Sequence, residues 1–188
     1  MRIGGFQKLS LINYPKTVAA VVFTQGCNMF CPYCHNPELV YPELFDAALD
    51  ESVVLDFLQK RKKLLQGVVI TGGEPTLQVD LESFIRQIKN IGYKIKLDTN
   101  GCAPAVLKNL IEQKLLDFIA MDIKAPFEKY EKFYDGDIKN IKRSISLIKN
   151  SKILYQFRTT YDKEILTESN IEEIREIAGA NFTLQPRN

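Results

Sequence analysis

No apolar run in this 188-residue chain approaches the roughly 18 residues that a membrane span needs. The opening Met1-Arg2-Ile3-Gly4-Gly5 lacks the apolar core and cleavage site of a signal peptide, so the cytoplasm is the expected location. Charge of one sign is also lacking: 25 basic residues face 23 acidic ones, mixed along the chain. That balance gives no reason to expect nucleic acid or a membrane surface as partner. With four cysteines the chain has too few for a disulfide framework. It has one histidine and no second Cys-x-x-Cys, which removes an ordinary zinc finger. No Gly/Ser-rich linker interrupts it, so residues 1–188 read as one domain. The chain stops just after its last strand-like segment, with no helix to cover it, and a truncated C-terminal element is expected there.

What is present is ordinary for a globular domain with a real core: 45% hydrophobic and 26% charged residues. After a hairpin-like opening over 2–12, apolar strands alternate with helices. Strands are expected at 17–24, 68–71, 94–99, 117–123, 153–160 and 182–185. The helices between them are expected from Asp50 to about Gln66 and from Asp80 to about Ile91. Others follow Pro104, run from Ile138 to about Lys149, and follow Thr167. On the first, Val53, Val54, Phe57, Leu58, Leu64 and Leu65 mark the apolar side.

Six such units imply right-handed crossovers and a mainly parallel sheet. Polar motifs follow the strands: Thr24-Gln25-Gly26, Thr71-Gly72-Gly73-Glu74, Asp98-Thr99-Asn100 and Asp122-Ile123-Lys124. In a barrel those strand ends converge on one face, where barrel active sites sit. The expected fold is therefore α/β, a partial (β/α)6 barrel of parallel strands with an N-terminal hairpin-like extension.

Three of the four cysteines, Cys27, Cys31 and Cys34, fall within eight residues. In a reducing compartment such thiols are metal ligands or catalytic groups. A cubane iron–sulfur cluster normally takes four thiolates, and three leave one iron open to a small molecule. Zinc with His35 as fourth ligand is the alternative, but His35 adjoins Cys34, and neighbouring residues rarely point at one metal. Cys102 is the remaining candidate for a fourth thiolate, or a small buried residue.

Cys-x-x-x-Cys-x-x-Cys with an aromatic before the third cysteine resembles the cluster loop of the radical S-adenosylmethionine superfamily. Residues 31–39, Cys-Pro-Tyr-Cys-His-Asn-Pro-Glu-Leu, are similar to its glycyl-radical-enzyme activases. The resemblance continues through Gly4-Gly5-Phe6, Tyr14-Pro15, residues 71–76, 97–101 and 120–126, and Phe157-Arg158-Thr159-Thr160. It is greatest to the family that activates anaerobic ribonucleotide reductase.

That resemblance implies a [4Fe–4S] cluster on Cys27, Cys31 and Cys34, with S-adenosylmethionine as cofactor. It implies that Gly72, Gly73 and Glu74 receive the methionine amino group and that Tyr33 lies near the adenine. Asp98, Thr99 and Asp122 are expected to touch the ribose and bind a monovalent cation. Lys124 and Arg158 are expected to neutralise the cofactor carboxylate. Gln185 is a further candidate for the adenine. The implied activity is reductive cleavage of the cofactor to a 5′-deoxyadenosyl radical that makes a glycyl radical on a partner enzyme. Implied partners are that enzyme, anaerobic ribonucleotide reductase first, and an electron donor such as flavodoxin or ferredoxin. The alternative is a radical enzyme acting on a small molecule in cofactor or modified-base biosynthesis.

Overall fold

A computed structural model describes residues 1–187; Asn188, where the expected C-terminal truncation falls, lies outside the described residues. Strand β1, Ile3–Ser10, runs antiparallel to β2, Ala19–Thr24. Five more strands follow in parallel: β3 Gly67–Gly72, β4 Lys94–Thr99, β5 Phe118–Asp122, β6 Leu154–Tyr161 and β7 Phe182–Pro186. They pair in chain order from β1 to β7, and β1 and β7 are the two free edges. The fold is thus the expected α/β partial barrel, six parallel strands wide, with β1 as the extension.

Each parallel crossover carries a helix: α1 Glu51–Arg61, α2 Leu81–Ile91, α3 Pro104–Glu112, α4 Ile138–Asn150 and α5 Glu168–Ala178. Their starts follow from local chemistry. Asp50 accepts a hydrogen bond from Ser52 N at 2.7 Å, and Asp137 accepts one from Lys139 N at 2.9 Å. Thr167 and Asn170 cap α5 reciprocally, and Pro104 needs no N–H at the first position of α3. Helix α1 ends at Arg61 instead of near Gln66. The chain must turn there to enter β3, and Gln66 N already donates to Val18 O at 2.8 Å. Leu65 therefore reaches the core, whereas Val53 and Leu64 are exposed.

Alternate strand residues face opposite sides. Val68, Ile70, Ile95, Leu97, Ile119 and Met121 join the helices in the large apolar cluster. On the inner side, Val21 and Val69 form a smaller cluster with Tyr14 and Ala19, against Phe23 and Phe118. Among the described residues, no helix is long and apolar enough to cross a membrane.

Candidate active site

The cysteine loop leaves the end of β2 and is tied to the sheet at its root. Gly73 N donates to Thr24 O at 2.9 Å, Glu74 N to Gly26 O at 2.7 Å, and Gly26 N to Leu39 O at 2.7 Å. This explains the paired glycines after β3. Gly72 has φ +114°, and a Cβ there would strike the backbone of Thr24; a Cβ on Gly73 would strike the Gly26 carbonyl. The close approach expected at this turn is therefore made by the chain's own cysteine loop. Farther along, Phe30 N donates to Phe133 O at 3.1 Å, and Cys34 N to Cys31 O at 3.1 Å.

Cys27, Cys31 and Cys34 are half-buried free thiols that line a cavity of about 360 Å³. Tyr33, Gly72, Gly73, Glu74, Asp98, Thr99, Asp122, Lys124 and Arg158 line the same cavity, so the structure brings together every expected site residue. His35 and Gln185 also border it, whereas Cys102 does not. Burial pushes the Cys27 thiol up to about 11 and raises Cys31; Cys102, buried beneath the site, is pushed to about 12.

A chain of ion pairs crosses the ends of β4, β5 and β6. Lys96 Nζ pairs with Asp98 Oδ1, and Arg158 Nη1 lies 3.2 Å from Asp98 Oδ2. The same guanidinium donates through Nε to Asp122 Oδ1 at 2.8 Å, and Lys124 Nζ lies 2.9 Å from Asp122 Oδ2. Register accounts for the bridge, because Asp122 and Arg158 are partners across β5 and β6. Three cations on two carboxylates leave this network one positive charge in surplus. Burial opposes the Asp122 charge, but Arg158 and Lys124 outweigh it and hold its carboxyl well below the usual range.

Glu74 is fully buried, and the chain itself satisfies its carboxylate. Oε1 accepts from Thr76 N at 3.0 Å, from the Thr76 hydroxyl, and from Thr99 Oγ1 at 2.7 Å; Oε2 accepts from Asn100 N at 2.7 Å. Thr99 Oγ1 in turn accepts from Gly101 N at 3.0 Å. Asn100 Nδ2 donates to Asn28 Oδ1 at 3.0 Å, linking the end of β4 to the cysteine loop. Sequence reasoning assigned no role to Lys96 or Asn100. Asn100 sits inside the quoted motif 97–101, but a hydrogen bond to residue 28 leaves no mark in sequence order.

The family model described as the radical SAM superfamily matches residues 21–179. The chain belongs to the radical SAM superfamily. Its curated relatives include a protein of Methanocaldococcus jannaschii named as a glycyl-radical enzyme activating enzyme. The two are 40% identical over 180 residues, covering 92% of this chain and 73% of the relative. The pyruvate formate-lyase-activating enzyme of Staphylococcus epidermidis is 36% identical over 114 residues, 55% of this chain and 45% of that protein. Among solved structures, Streptococcus suis SuiB bound to S-adenosylmethionine aligns at a TM-score of 0.70 and 17% identity. That alignment covers 89% of this chain and 40% of SuiB, and it supports the fold.

A radical SAM domain implies a [4Fe–4S] cluster and S-adenosylmethionine, and the cavity fits both. Among the described residues, no three His, Cys, Asp or Glu side chains gather tightly enough for a single metal ion. A cubane meets each thiolate at a different iron, so it needs donors around a cavity, as the three cysteines are arranged. Tyr33 lines the cavity with its ring packed against Phe133, which gives an adenine a flat aromatic wall. Lys124 and Arg158 on the cavity wall can each donate a charge-assisted hydrogen bond to a ligand carboxylate. A monovalent cation fits less well. All four oxygens of Asp98 and Asp122 carry a side-chain cation, and the Thr99 hydroxyl lies between Glu74 and Gly101 N.

Proposed function

We infer that Cys27, Cys31 and Cys34 hold the cluster, and that S-adenosylmethionine occupies the remainder of the cavity against Tyr33 and the ends of β3 to β6. One observation carries this reading: a single cavity has three free thiols and the cationic side chains of Lys124 and Arg158 on its wall. Cluster and cofactor, when bound, supply a one-electron reductive cleavage giving methionine and a 5′-deoxyadenosyl radical that takes hydrogen from a glycine Cα. The chain's own residues bind, orient and exclude water.

In this reading Lys124 and Arg158 give charge-assisted hydrogen bonds to the methionine carboxylate, while Asp98 and Asp122 fix those cations in place. Tyr33 offers its ring to the adenosyl part. Gly72 and Gly73 contribute backbone at the cofactor's amino end. Glu74 and Thr99, whose side chains serve Asn100 and Gly101, shape the wall. No side chain is required as a general base.

The substrate proposed is a glycyl-radical enzyme, anaerobic ribonucleotide reductase first, met in the cytoplasm, with flavodoxin or ferredoxin as electron donor. The names of the relatives support this. The test mixes cluster-loaded, reduced protein with S-adenosylmethionine and the host's anaerobic reductase. The expected result is a glycyl-radical doublet in electron paramagnetic resonance. Cofactor cleavage without that doublet, together with turnover of a small metabolite, would move the reading to a small-molecule radical enzyme.

A further inference from the structure

Lys96 is a charged side chain in the middle of β4, only 3% exposed, and the chemistry described above does not use it. Its register partners are Val69 on β3 and Phe118 on β5, and its ammonium lies 6.0 Å from the Phe118 ring centroid. These are inner-wall positions, so the lysine stands inside the barrel below the cavity. Burying an ammonium among Val69, Phe118 and the strand backbone is unfavourable unless a specific partner compensates it. Asp98 is that partner, and among the described residues Lys96 pairs with no other carboxylate.

Asp98 is a cavity-wall residue whose second oxygen steadies Arg158, which in turn grips Asp122. The Lys96 ammonium covers the Asp98 oxygen that Arg158 leaves free, so both oxygens of this buried carboxylate meet a cation. With only Arg158 beside it, the free oxygen of Asp98 would invite a small cation from solution. Carboxylate oxygen suits a hard monovalent ion.

We propose that Lys96 is a tethered counterion: its ammonium takes the place beside Asp98 that a free monovalent cation would otherwise fill. The chain then holds S-adenosylmethionine without needing potassium or sodium. This rests on the cofactor-binding reading above. Lys96 is a positioning residue, acting through Asp98 and Arg158 on the wall that meets the cofactor.

The test uses cluster-loaded protein in choline chloride, sodium chloride and potassium chloride at equal ionic strength. Two quantities are measured: the calorimetric affinity for S-adenosylmethionine, and the melting midpoint without that cofactor. Wild type should bind within about twofold in all three salts and melt at one temperature. Lys96→Met, close to lysine in shape but uncharged, should lose about tenfold or more in choline chloride and recover in potassium or ammonium chloride. Its midpoint should rise with the same ions. A wild-type affinity that collapses in choline chloride overturns the proposal. So does a Lys96→Met loss that no cation restores, which would make the lysine a packing residue. Lys96→Gln serves if the Met variant does not fold. The midpoint needs no cofactor. Cation-dependent melting of Lys96→Met, with no cofactor bound by either protein, would therefore strike the cofactor reading and leave the counterion in place.

Discussion

Glu74→Gln separates two roles for the glutamate that follows the paired glycines. If the side chain serves the ligand, the change should leave the ligand-free fold alone and weaken cofactor binding. The hydrogen bonds argue otherwise: one oxygen accepts from Thr76 N, the Thr76 hydroxyl and the Thr99 hydroxyl, and the other from Asn100 N. A glutamine can keep its carbonyl toward the first three. Its amide then faces Asn100 N, so a 2.7 Å bond becomes donor against donor in a buried place. Losing a hydrogen bond to a charged group is worth about 1.5–3 kcal/mol, and stranding a buried N–H adds about 1–3 kcal/mol. Removing a buried charge returns part of this, because burial already pushes the Glu74 carboxyl up against its four donors. The expected loss is about 2–4 kcal/mol, which for a chain of this length lowers the melting midpoint by about 4–16 °C.

The assay is anaerobic thermal unfolding of the protein without cluster or cofactor, beside Thr76→Val as a milder cut in the same cluster. Because Asn100 also holds Asn28, the variant should take up less iron on reconstitution. A midpoint within about 1 °C of wild type, coupled to a large drop in cofactor affinity, would refute the reasoning. Glu74 would then belong to the ligand.

Replacing Cys27, Cys31 or Cys34 singly with Ala should abolish the [4Fe–4S] absorption and the uptake of about four irons, while Cys102→Ala keeps both; the reverse pattern would overturn the ligand assignment. Asp122→Asn should retain iron but weaken S-adenosylmethionine binding in calorimetry, since it frees Lys124 and one arm of Arg158. The same variant tests the ion pairs by pH. With the folded carboxyl held below its ordinary 3.8, its contribution is complete above that value and lost as pH falls beneath it. The gap in urea midpoint between wild type and Asp122→Asn should accordingly stay constant from pH 7 to about pH 4 and narrow below; a gap already closed at pH 5.5 would contradict the pairing.

Most of the architecture was legible because each step rests on local chemistry. Apolar runs bounded by Gly and Pro gave the strands, and Asp50, Pro104 and Thr167 gave helix starts that hold in the structure. Helix α1 was overextended because periodicity alone counted Leu64, whose exposure follows from a turn that the entry into β3 imposes. The cavity lining was legible too, since polar residues at parallel strand ends must meet on one face. Partners within that lining were not. Asp98 was expected to touch the ribose and bind a monovalent cation; in the structure Arg158 reaches it from two strands away, donating at the same time to Asp122 on the intervening β5.

The hidden lysine shows what kind of information the sequence withholds. β4 reads Lys94-Ile95-Lys96-Leu97-Asp98, an alternation that ordinarily marks a strand with one face in water. The two strands before it, β2 and β3, are apolar on both faces, Ala19 to Val22 and Val68 to Ile70. A sheet with helices on one side only would put Lys96 in solvent. Here the strands curl, so the face of β4 on which Val69 and Phe118 flank Lys96 is turned inward, and the polar half of its alternation lines the barrel interior. Lys94, at the strand's beginning, is exposed, whereas Lys96 and Asp98 are buried and paired two residues apart on one face. The alternation thus measured charge supplied to the site, although in a flat sheet it would have measured exposure. Only the curl of the wall, a property of all seven strands together, decides between the two.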